Sequence, residues 1–172
     1  WPPTWELDAK NPRTKNRPSA TGEISPRAMS AFTAASAAAF VACAYFINRA
    51  CFILSFPALA VLFGYSYAKR FTAAAHYVLG LALALAPAGA WIAASGSLDP
   101  RILALSGALF FGIAAFDIIY ALQDMEFDTR ENLHSVPASF GRGGALAVAA
   151  ASLGVSAALF FLAGKSRRAK RS

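Results

Sequence analysis

Five apolar runs, each roughly as long as a membrane-crossing helix, constrain this chain more than any other feature of its sequence. They cover residues 28–47, 51–68, 74–95, 101–122 and 140–163. A helix needs about 20 residues to cross the hydrocarbon of a bilayer, and it satisfies its own backbone hydrogen bonds there. The sequence therefore predicts an all-α fold, a multispan transmembrane helical bundle whose short connections make neighbouring helices antiparallel.

Charge content and charge placement agree with membrane embedding. Charged residues make up 15% of the chain, against about 25% in a typical soluble domain. The formal net charge of +7 does not indicate a nucleic-acid partner, because Lys and Arg concentrate between the apolar runs and in the tail, as topology signals do. Cys43 and Cys51 lie in or beside apolar runs without CxxC spacing, which argues against a disulfide scaffold or a zinc site.

The apolar runs also define the expected domain organisation. We expect one membrane-embedded domain over residues 1–172, with a loop at 1–27, five transmembrane helices within 28–163 and a basic tail at 164–172. The loop is expected because the prolines of the segment NPRTKNRP interrupt a regular helix.

The positive-inside rule predicts which loops face the cytoplasm. If residues 1–27 are cytoplasmic, so are the turn around Lys69–Arg70 and the acidic loop 123–139, and most Lys and Arg residues outside the tail then lie on that side. We therefore expect an integral protein of a bacterial inner or plasma membrane, with these three loops together at the cytoplasmic face.

The segment DIIYALQDMEFDTRENLHSVP, residues 117–137, places a dense acidic patch at the end of the fourth apolar run. Because a helix turns about 100° per residue, Asp117, Asp124 and Asp128 are expected to form one carboxylate stripe with Tyr120 near its edge. Carboxylates beside lipid need a partner, and Mg²⁺ typically binds one or two carboxylates together with substrate phosphates. The alternative is a solvated helix extension whose charges face water.

Two basic segments are expected on the same face as this acidic patch. In NPRTKNRP, Arg13 and Arg17 would grip phosphate oxygens, although the segment would also serve as a positively charged flank of the next helix. In GYSYAKRFT, Tyr65, Lys69 and Arg70 would supply a phenol and two cations. The alternative for this second segment is an interfacial aromatic belt with snorkelling cations.

Together the three segments resemble those of the UbiA superfamily of intramembrane aromatic prenyltransferases, in particular its 4-hydroxybenzoate polyprenyltransferase-like branch of ubiquinone and menaquinone synthesis. The resemblance rests on DAKNPRTKNRP with TGEIS behind it, on GYSYAKRFT, and on DIIYALQDMEFD followed by LHSVPASFG, and it spans nearly all of residues 8–141. It implies a lipid-open bundle in which two Asp-rich motifs hold Mg²⁺. It also implies that a polyprenyl diphosphate ionises there and that its carbocation attacks an aromatic acceptor.

The resemblance also implies roles by position. The implied metal ligands are Asp8, Asp117, Asp124 and Asp128. The implied substrate-binding residues are Arg13, Arg17, Tyr65, Lys69, Arg70 and Tyr120. The implied catalytic residues are Asp117, Asp124, Lys69 and Arg70. Two histidines, His76 at a helix start and His134 beside the acidic loop, are not expected to be catalytic, and interface polarity is the expected reason for His76.

The chain departs from the family pattern at its start and in its length. The residues before Asp8 read WPPTWEL, with Glu6 alone acidic where the family has an Asn-Asp pair and a further Asp. Asn132 stands where close relatives have Gly, which is harmless if the residue adopts a left-handed conformation. The family has about nine spans and the chain begins with Trp1, so we expect a fragment that lacks two spans at each end and is inactive alone.

Two other functions remain open from the sequence. CDP-alcohol phosphotransfer also uses membrane-embedded Asp clusters, but its DG and AR pairs are absent from the acidic segment. A small multispan cation transporter or membrane assembly protein is the non-enzymatic alternative. The partners expected on the main interpretation are a polyprenyl diphosphate, an aromatic acceptor and membrane lipids.

Overall fold

The computed structural model describes residues 4–68 and 70–168, and every regular element in those ranges is helical. The all-α prediction is therefore confirmed. The elements in chain order are α1 (Thr4–Lys10), α2 (Pro26–Ile47), α3 (Arg49–Ala68), α4 (Ala75–Ser95), α5 (Pro100–Ala121), a 3₁₀ turn (Leu122–Asp124), α6 (Met125–Arg130) and α7 (Val136–Arg168).

Four helical stretches are long and apolar enough to cross a membrane. They are Pro26–Ile47, Ala75–Ser95, Pro100–Arg130 and Val136–Lys165. The second predicted span coincides with α3, whose apolar part, Arg49–Tyr65, is shorter than the other four. The predicted multispan bundle is therefore present, with four full-length candidate spans and one shorter apolar helix in place of five equal ones.

Two boundaries differ from the sequence prediction. A short helix, α1, lies inside the segment 1–27 that was expected to be a loop. The stretch Thr4–Lys10 contains no proline, and its Glu6 near the N-terminus and Lys10 at the C-terminus complement the helix dipole. At the other end α7 continues to Arg168, so the first residues of the expected tail 164–172 extend the helix.

The long helices pack in sequence order, with α5 between α4 and α7 and with α2 and α3 following on the α4 side. Small residues allow this close packing: Ala108, Ala114 and Ala115 of α5 have no exposed surface. Hydrogen bonds join the helices inside the bundle as well. Ser156 Oγ donates to the Ala108 carbonyl over 2.7 Å.

One end of the bundle collects the connecting segments. α3 and α5 end there, whereas α2, α4 and α7 begin there, because consecutive long helices run antiparallel. The N-terminal segment up to Ser25, the turn after α3 and the segment between α5 and α7 therefore meet at this end. The bundle thus brings the three segments singled out in the sequence to one face, as predicted.

Candidate active site

A cavity of about 380 Å³ opens at this end of the bundle. Four Asp, three Arg and two Tyr residues line it: Asp8, Asp117, Asp124, Asp128, Arg13, Arg17, Arg70, Tyr65 and Tyr120. These are nine of the ten residues to which the sequence assigned a role. The tenth, Lys69, lies outside the residues that the structure describes. The cavity is called the acidic pocket below.

A break in the helix shapes the acidic side of the pocket. The predicted carboxylate stripe assumed one continuous helix from Asp117 to Asp128. Instead α5 ends at Ala121, a 3₁₀ turn follows, and α6 starts at Met125. A 3₁₀ turn advances about 120° per residue and so changes the helical register. The single stripe is therefore wrong, although its three Asp residues still line the same pocket.

Asp124 is a nearly buried carboxylate that accepts hydrogen bonds from two residues of the N-terminal segment. Arg13 donates to both of its carboxylate oxygens, from Nε to Oδ1 at 3.0 Å and from Nη2 to Oδ2 at 2.5 Å. Asn11 Nδ2 donates to Oδ1 at 3.0 Å. Asp124 and Asn11 are 7% and 8% exposed, so the charge of Asp124 is compensated away from water. Such bidentate Arg–carboxylate pairs are among the stronger polar contacts in proteins.

Arg13 also contacts the aromatic side of the pocket. Its Nη1 donates to the Tyr120 hydroxyl over 2.8 Å, and its guanidinium carbon lies 5.1 Å from the centre of the Tyr120 ring. The hydrogen bonds to Asp124 raise the pKa of Arg13 above its already high ordinary value. Arg13 is therefore a permanent cation that links the N-terminal segment to the acidic segment.

A second Arg–Asp pair borders the pocket on the N-terminal segment itself. Arg17 Nη1 donates to Asp8 Oδ1 at 3.1 Å, and Thr14 Oγ1 donates to the Asp8 backbone carbonyl at 2.9 Å. Asp8 and Arg17 thus line the pocket as a pair. The sequence assigned Asp8 to the metal and Arg17 to the substrate.

Asp117 approaches the pocket from the end of α5 and is paired with a histidine. His76 Nδ1 lies 2.7 Å from Asp117 Oδ2, and the His76 ring is completely buried. Interface polarity, the reason expected for His76, is therefore wrong. The side chain is enclosed because the segment before α7 covers the start of α4, where the Val136 backbone N–H donates to His76 Nε2.

The turn after α6 holds Asp128 in place. Asp128 is 2% exposed, and its backbone carbonyl accepts a hydrogen bond from the Leu133 N–H at 2.8 Å. Asn132 closes this turn with φ at 53°, the left-handed conformation expected for a position where Gly is usual. His134 is exposed beyond it. This turn therefore connects the acidic segment of the pocket to the start of α7.

A separate apolar cavity of about 610 Å³ lies among α2, α3 and α4. Its walls include Phe40, Leu54, Val61 and Leu85. Cavities with apolar walls accommodate hydrocarbon groups. The bundle therefore combines a charged pocket at one end with apolar space between its membrane-spanning helices.

Comparison with protein families gives the context of this geometry. Residues 5–167 match the UbiA prenyltransferase family, which is nearly the whole chain. The chain belongs to this family. It is also similar to the apo structure of a UbiA homolog from Aeropyrum pernix K1, with a TM-score of 0.88 and 34% identity over 94% of this chain and 62% of that one.

Curated relatives of this UbiA-family chain include three bacterial 4-hydroxybenzoate octaprenyltransferases. The protein of Neisseria meningitidis serogroup B is 30% identical over 137 residues, which are 80% of this chain and 46% of the relative. The proteins of Nitrosomonas eutropha and Ectopseudomonas mendocina are 33% and 35% identical, over 80% and 83% of this chain and 48% of each relative. The chain therefore spans about half the length of the curated relatives it matches.

The carboxylates of this UbiA-family pocket differ from the metal cluster predicted from the sequence. In the ranges described, no three His, Cys, Asp or Glu side chains lie close enough together to hold a metal ion. The reason is that Asp124, Asp8 and Asp117 point to Arg13, Arg17 and His76 respectively. The predicted set Asp8, Asp117, Asp124 and Asp128 is therefore gathered at one pocket but not assembled as a metal centre. Its oxygen donors nonetheless fit a hard cation such as Mg²⁺.

Sequence reasoning missed one polar residue of this UbiA-family site and misjudged another. Asn11 binds the central carboxylate, and its own Oδ1 accepts from the Arg13 backbone N–H at 2.9 Å, which turns the chain toward Asp124. The signal was the Asn11-Pro12 dipeptide, because Asn before Pro favours turn initiation. His76 is the other, and its local sequence TAAAHYV gives no sign of burial.

Proposed function

We propose that the acidic pocket binds the diphosphate of a polyprenyl donor together with Mg²⁺, in order to transfer the polyprenyl group to an aromatic ring of the 4-hydroxybenzoate type. The observation that carries this proposal is the pocket itself. Four carboxylates and three guanidinium groups meet at one end of an apolar helical bundle. An amphiphilic donor with a multiply negative head and a hydrocarbon tail matches both halves of that arrangement.

The charge of each pocket residue determines whether we assign it to the cation or to the diphosphate. Asp8, Asp117, Asp124 and Asp128 would hold Mg²⁺, which when bound would supply a Lewis acid for the leaving diphosphate oxygens. The guanidinium groups are suited to the remaining oxygens, because a planar fork of N–H donors matches phosphate geometry. Arg13, Arg17 and Arg70 all line the pocket and are the candidates for this contact. Lys69, beside Arg70 in the sequence, is a further candidate.

The reaction proposed is an electrophilic substitution on the acceptor ring. The allylic C–O bond breaks and its electron pair leaves with the diphosphate, where positive side chains stabilise the developing charge. A C–C bond then forms between the allylic carbon and the ring, and the ring loses its proton to the released diphosphate. Apolar surroundings keep water from the allylic cation. Tyr65 and Tyr120, which line the pocket, are candidates for contacts with the leaving group.

Prenyl transfer in membranes containing this chain tests the proposal. The substrates are a short isoprenoid diphosphate, 4-hydroxybenzoate and Mg²⁺, and product is detected chromatographically. Because the chain spans about half of its relatives, the same assay is run on a chimera that adds to the chain the parts of the Neisseria meningitidis relative lying outside the 137 matched residues. We expect Mg²⁺-dependent product from the chimera.

The outcomes separate the competing functions. Product that requires both Mg²⁺ and the diphosphate supports prenyl transfer. If neither the chain nor the chimera binds any isoprenoid diphosphate, the proposal is wrong. Divalent-cation binding that is indifferent to diphosphate would instead favour the cation transporter considered from the sequence.

Arg13→Lys tests whether the planar set of N–H donors of Arg13 matters in addition to its positive charge. Lys keeps the positive charge but loses the bidentate contact with Asp124 and the bond to Tyr120. We expect kcat/KM for the isoprenoid diphosphate to fall about tenfold, the loss of roughly one charge-assisted hydrogen bond. Lys15→Gln is the matched control, an exposed cation in the same segment that does not line the pocket. Equal losses in both variants would contradict a specific role for Arg13.

The orientation of the pocket is a further proposal. Most cations flanking the helices lie at the pocket end, such as Lys15, Arg27 and Arg130, so the positive-inside rule favours a cytoplasmic pocket. In a background without Cys43 and Cys51, Glu126→Cys should react with an impermeant maleimide only in inside-out vesicles, and Ser97→Cys only in intact cells. The reverse pattern would place the pocket outside.

A further inference from the structure

His76 is the buried titratable side chain for which the proposed chemistry has no use. It has no exposed surface, although it lies at the first turn of α4 and next to a charged pocket. A buried imidazole needs hydrogen-bond partners at both ring nitrogens. The structure gives it two partners, Asp117 at the end of α5 and Val136 at the start of α7.

These partners fix the tautomer of the ring. The Val136 backbone N–H can only donate, and it points at Nε2 over 3.2 Å, so Nε2 must carry a lone pair. The proton is therefore on Nδ1, which donates to Asp117 Oδ2 at 2.7 Å. A neutral His76 in this single tautomer satisfies both contacts at once. Together the two contacts fix the orientation of the His76 ring.

The contacts join three helices at the pocket wall. His76 belongs to α4, Asp117 to α5 and Val136 to α7, and the carboxylate they hold lines the acidic pocket with 21% of its side chain exposed. A carboxylate bound through one oxygen loses rotational freedom before any ligand arrives. Partners of this kind orient ligating groups in many metal sites.

We propose that His76 is a positioning residue, which holds the Asp117 carboxylate toward the acidic pocket and ties it to the first residue of α7. This role rests on the proposed function, because it concerns how one carboxylate meets a cation and a diphosphate. His76 itself contacts no substrate. It acts through Asp117.

Nitrogen NMR of the chain labelled at histidine tests the contact without any ligand. The chain has two histidines, so His134→Gln, a change at an exposed position, assigns the His76 signals. We expect a protonated Nδ1 and an unprotonated Nε2 for His76. The opposite tautomer, or an average of the two, would overturn the positioning role whether or not the chain binds a diphosphate.

Binding measurements on two His76 variants then test the consequence for the site. The probe is geranyl thiolodiphosphate, which resists ionisation, and Mg²⁺ is titrated in its presence. The Gln side chain of His76→Gln retains an amide NH2 donor group and a carbonyl acceptor, whereas the Leu side chain of His76→Leu has neither. We expect the Mg²⁺ concentration at half-saturation to rise about 10- to 100-fold in His76→Leu and far less in His76→Gln.

Tyr77→Phe controls for a general loosening of the same helices. The Tyr77 hydroxyl lies 2.8 Å from Ser152 Oγ and so joins α4 to α7 without contacting Asp117. The Tyr77→Phe substitution should lower the unfolding temperature in detergent and leave the Mg²⁺ titration unchanged. Parental Mg²⁺ affinity in His76→Leu, or an equal loss in Tyr77→Phe, would overturn the role of His76. A correct tautomer, together with no binding of the thiolodiphosphate by either the chain or the chimera, would instead overturn the proposed function.

Discussion

In the chimera with the Neisseria meningitidis relative, Asp124→Asn should lower the prenyl-transfer kcat/KM by about two to three orders of magnitude, on the order of the loss of one strong transition-state contact. Asp124 is nearly buried, accepts hydrogen bonds from both Arg13 and Asn11, and lines the pocket. Asn is the same size but has no charge, and one of its two terminal atoms donates. The substitution therefore removes the carboxylate and places an N–H against a guanidinium or amide donor.

Glu126→Gln is the matched control for that measurement. Glu126 is an exposed carboxylate two residues away in α6, and it does not line the pocket. The same charge is removed from the same segment, so the net charge changes by the same amount in both variants. We expect the activity of Glu126→Gln to stay close to that of the parent chain. An Asp124→Asn variant as active as Glu126→Gln would exclude Asp124 from the chemistry.

Gly80→Ala should destabilise the bundle although Ala is the better helix former. A Cβ at Gly80 would lie 2.3 Å from the Phe110 carbonyl oxygen and 3.4 Å from Ala114 Cβ, so α4 and α5 would have to separate. Overpacking of this kind costs about 1–3 kcal/mol. We expect a lower unfolding temperature in detergent. We also expect weaker Mg²⁺ binding, because Gly80 lies one turn from His76.

The control lies on the same helix. A Cβ at Gly89 would meet no atom within 4 Å. Gly89→Ala should therefore leave the unfolding temperature unchanged or raise it slightly, since Ala has the higher helix propensity. If both variants unfold at the parental temperature, the close approach of α4 and α5 at Phe110 is not a constraint on the fold.

Much of the fold follows from the sequence because a helix that crosses lipid needs a run of about 20 apolar residues. The runs 28–47, 74–95 and 101–122 predict α2, α4 and α5 to within about two residues, the ordinary scatter of helix ends. The sequence did not predict α1, because this helix is only two turns long and is surrounded by prolines. The sequence also did not predict that the first residues of the tail are helical, because charge alone does not end a helix.

The composition of the site was predictable, but its internal contacts were not. The sequence assigned Asp8, Arg17 and Arg70 to one face because the loops that carry them alternate in side with the helices. The pairings depend on geometry that no periodicity contains. The 3₁₀ turn before Met125 changes the register of the acidic segment, and the burial of His76 results from a segment 60 residues away.

On the proposed function, the Arg13–Asp124 pair would make binding of the two ligands cooperative. Each side chain neutralises the other in the ion pair, so a cation alone would have to compete with Arg13 for Asp124, and a diphosphate alone would have to compete with Asp124 for Arg13. With both ligands present, Asp124 would exchange Arg13 for the cation and Arg13 would exchange Asp124 for the diphosphate. Each ligand would thereby raise the affinity for the other by the same factor, as linkage requires. An ion pair of this kind would favour the complex of metal and diphosphate over either component alone.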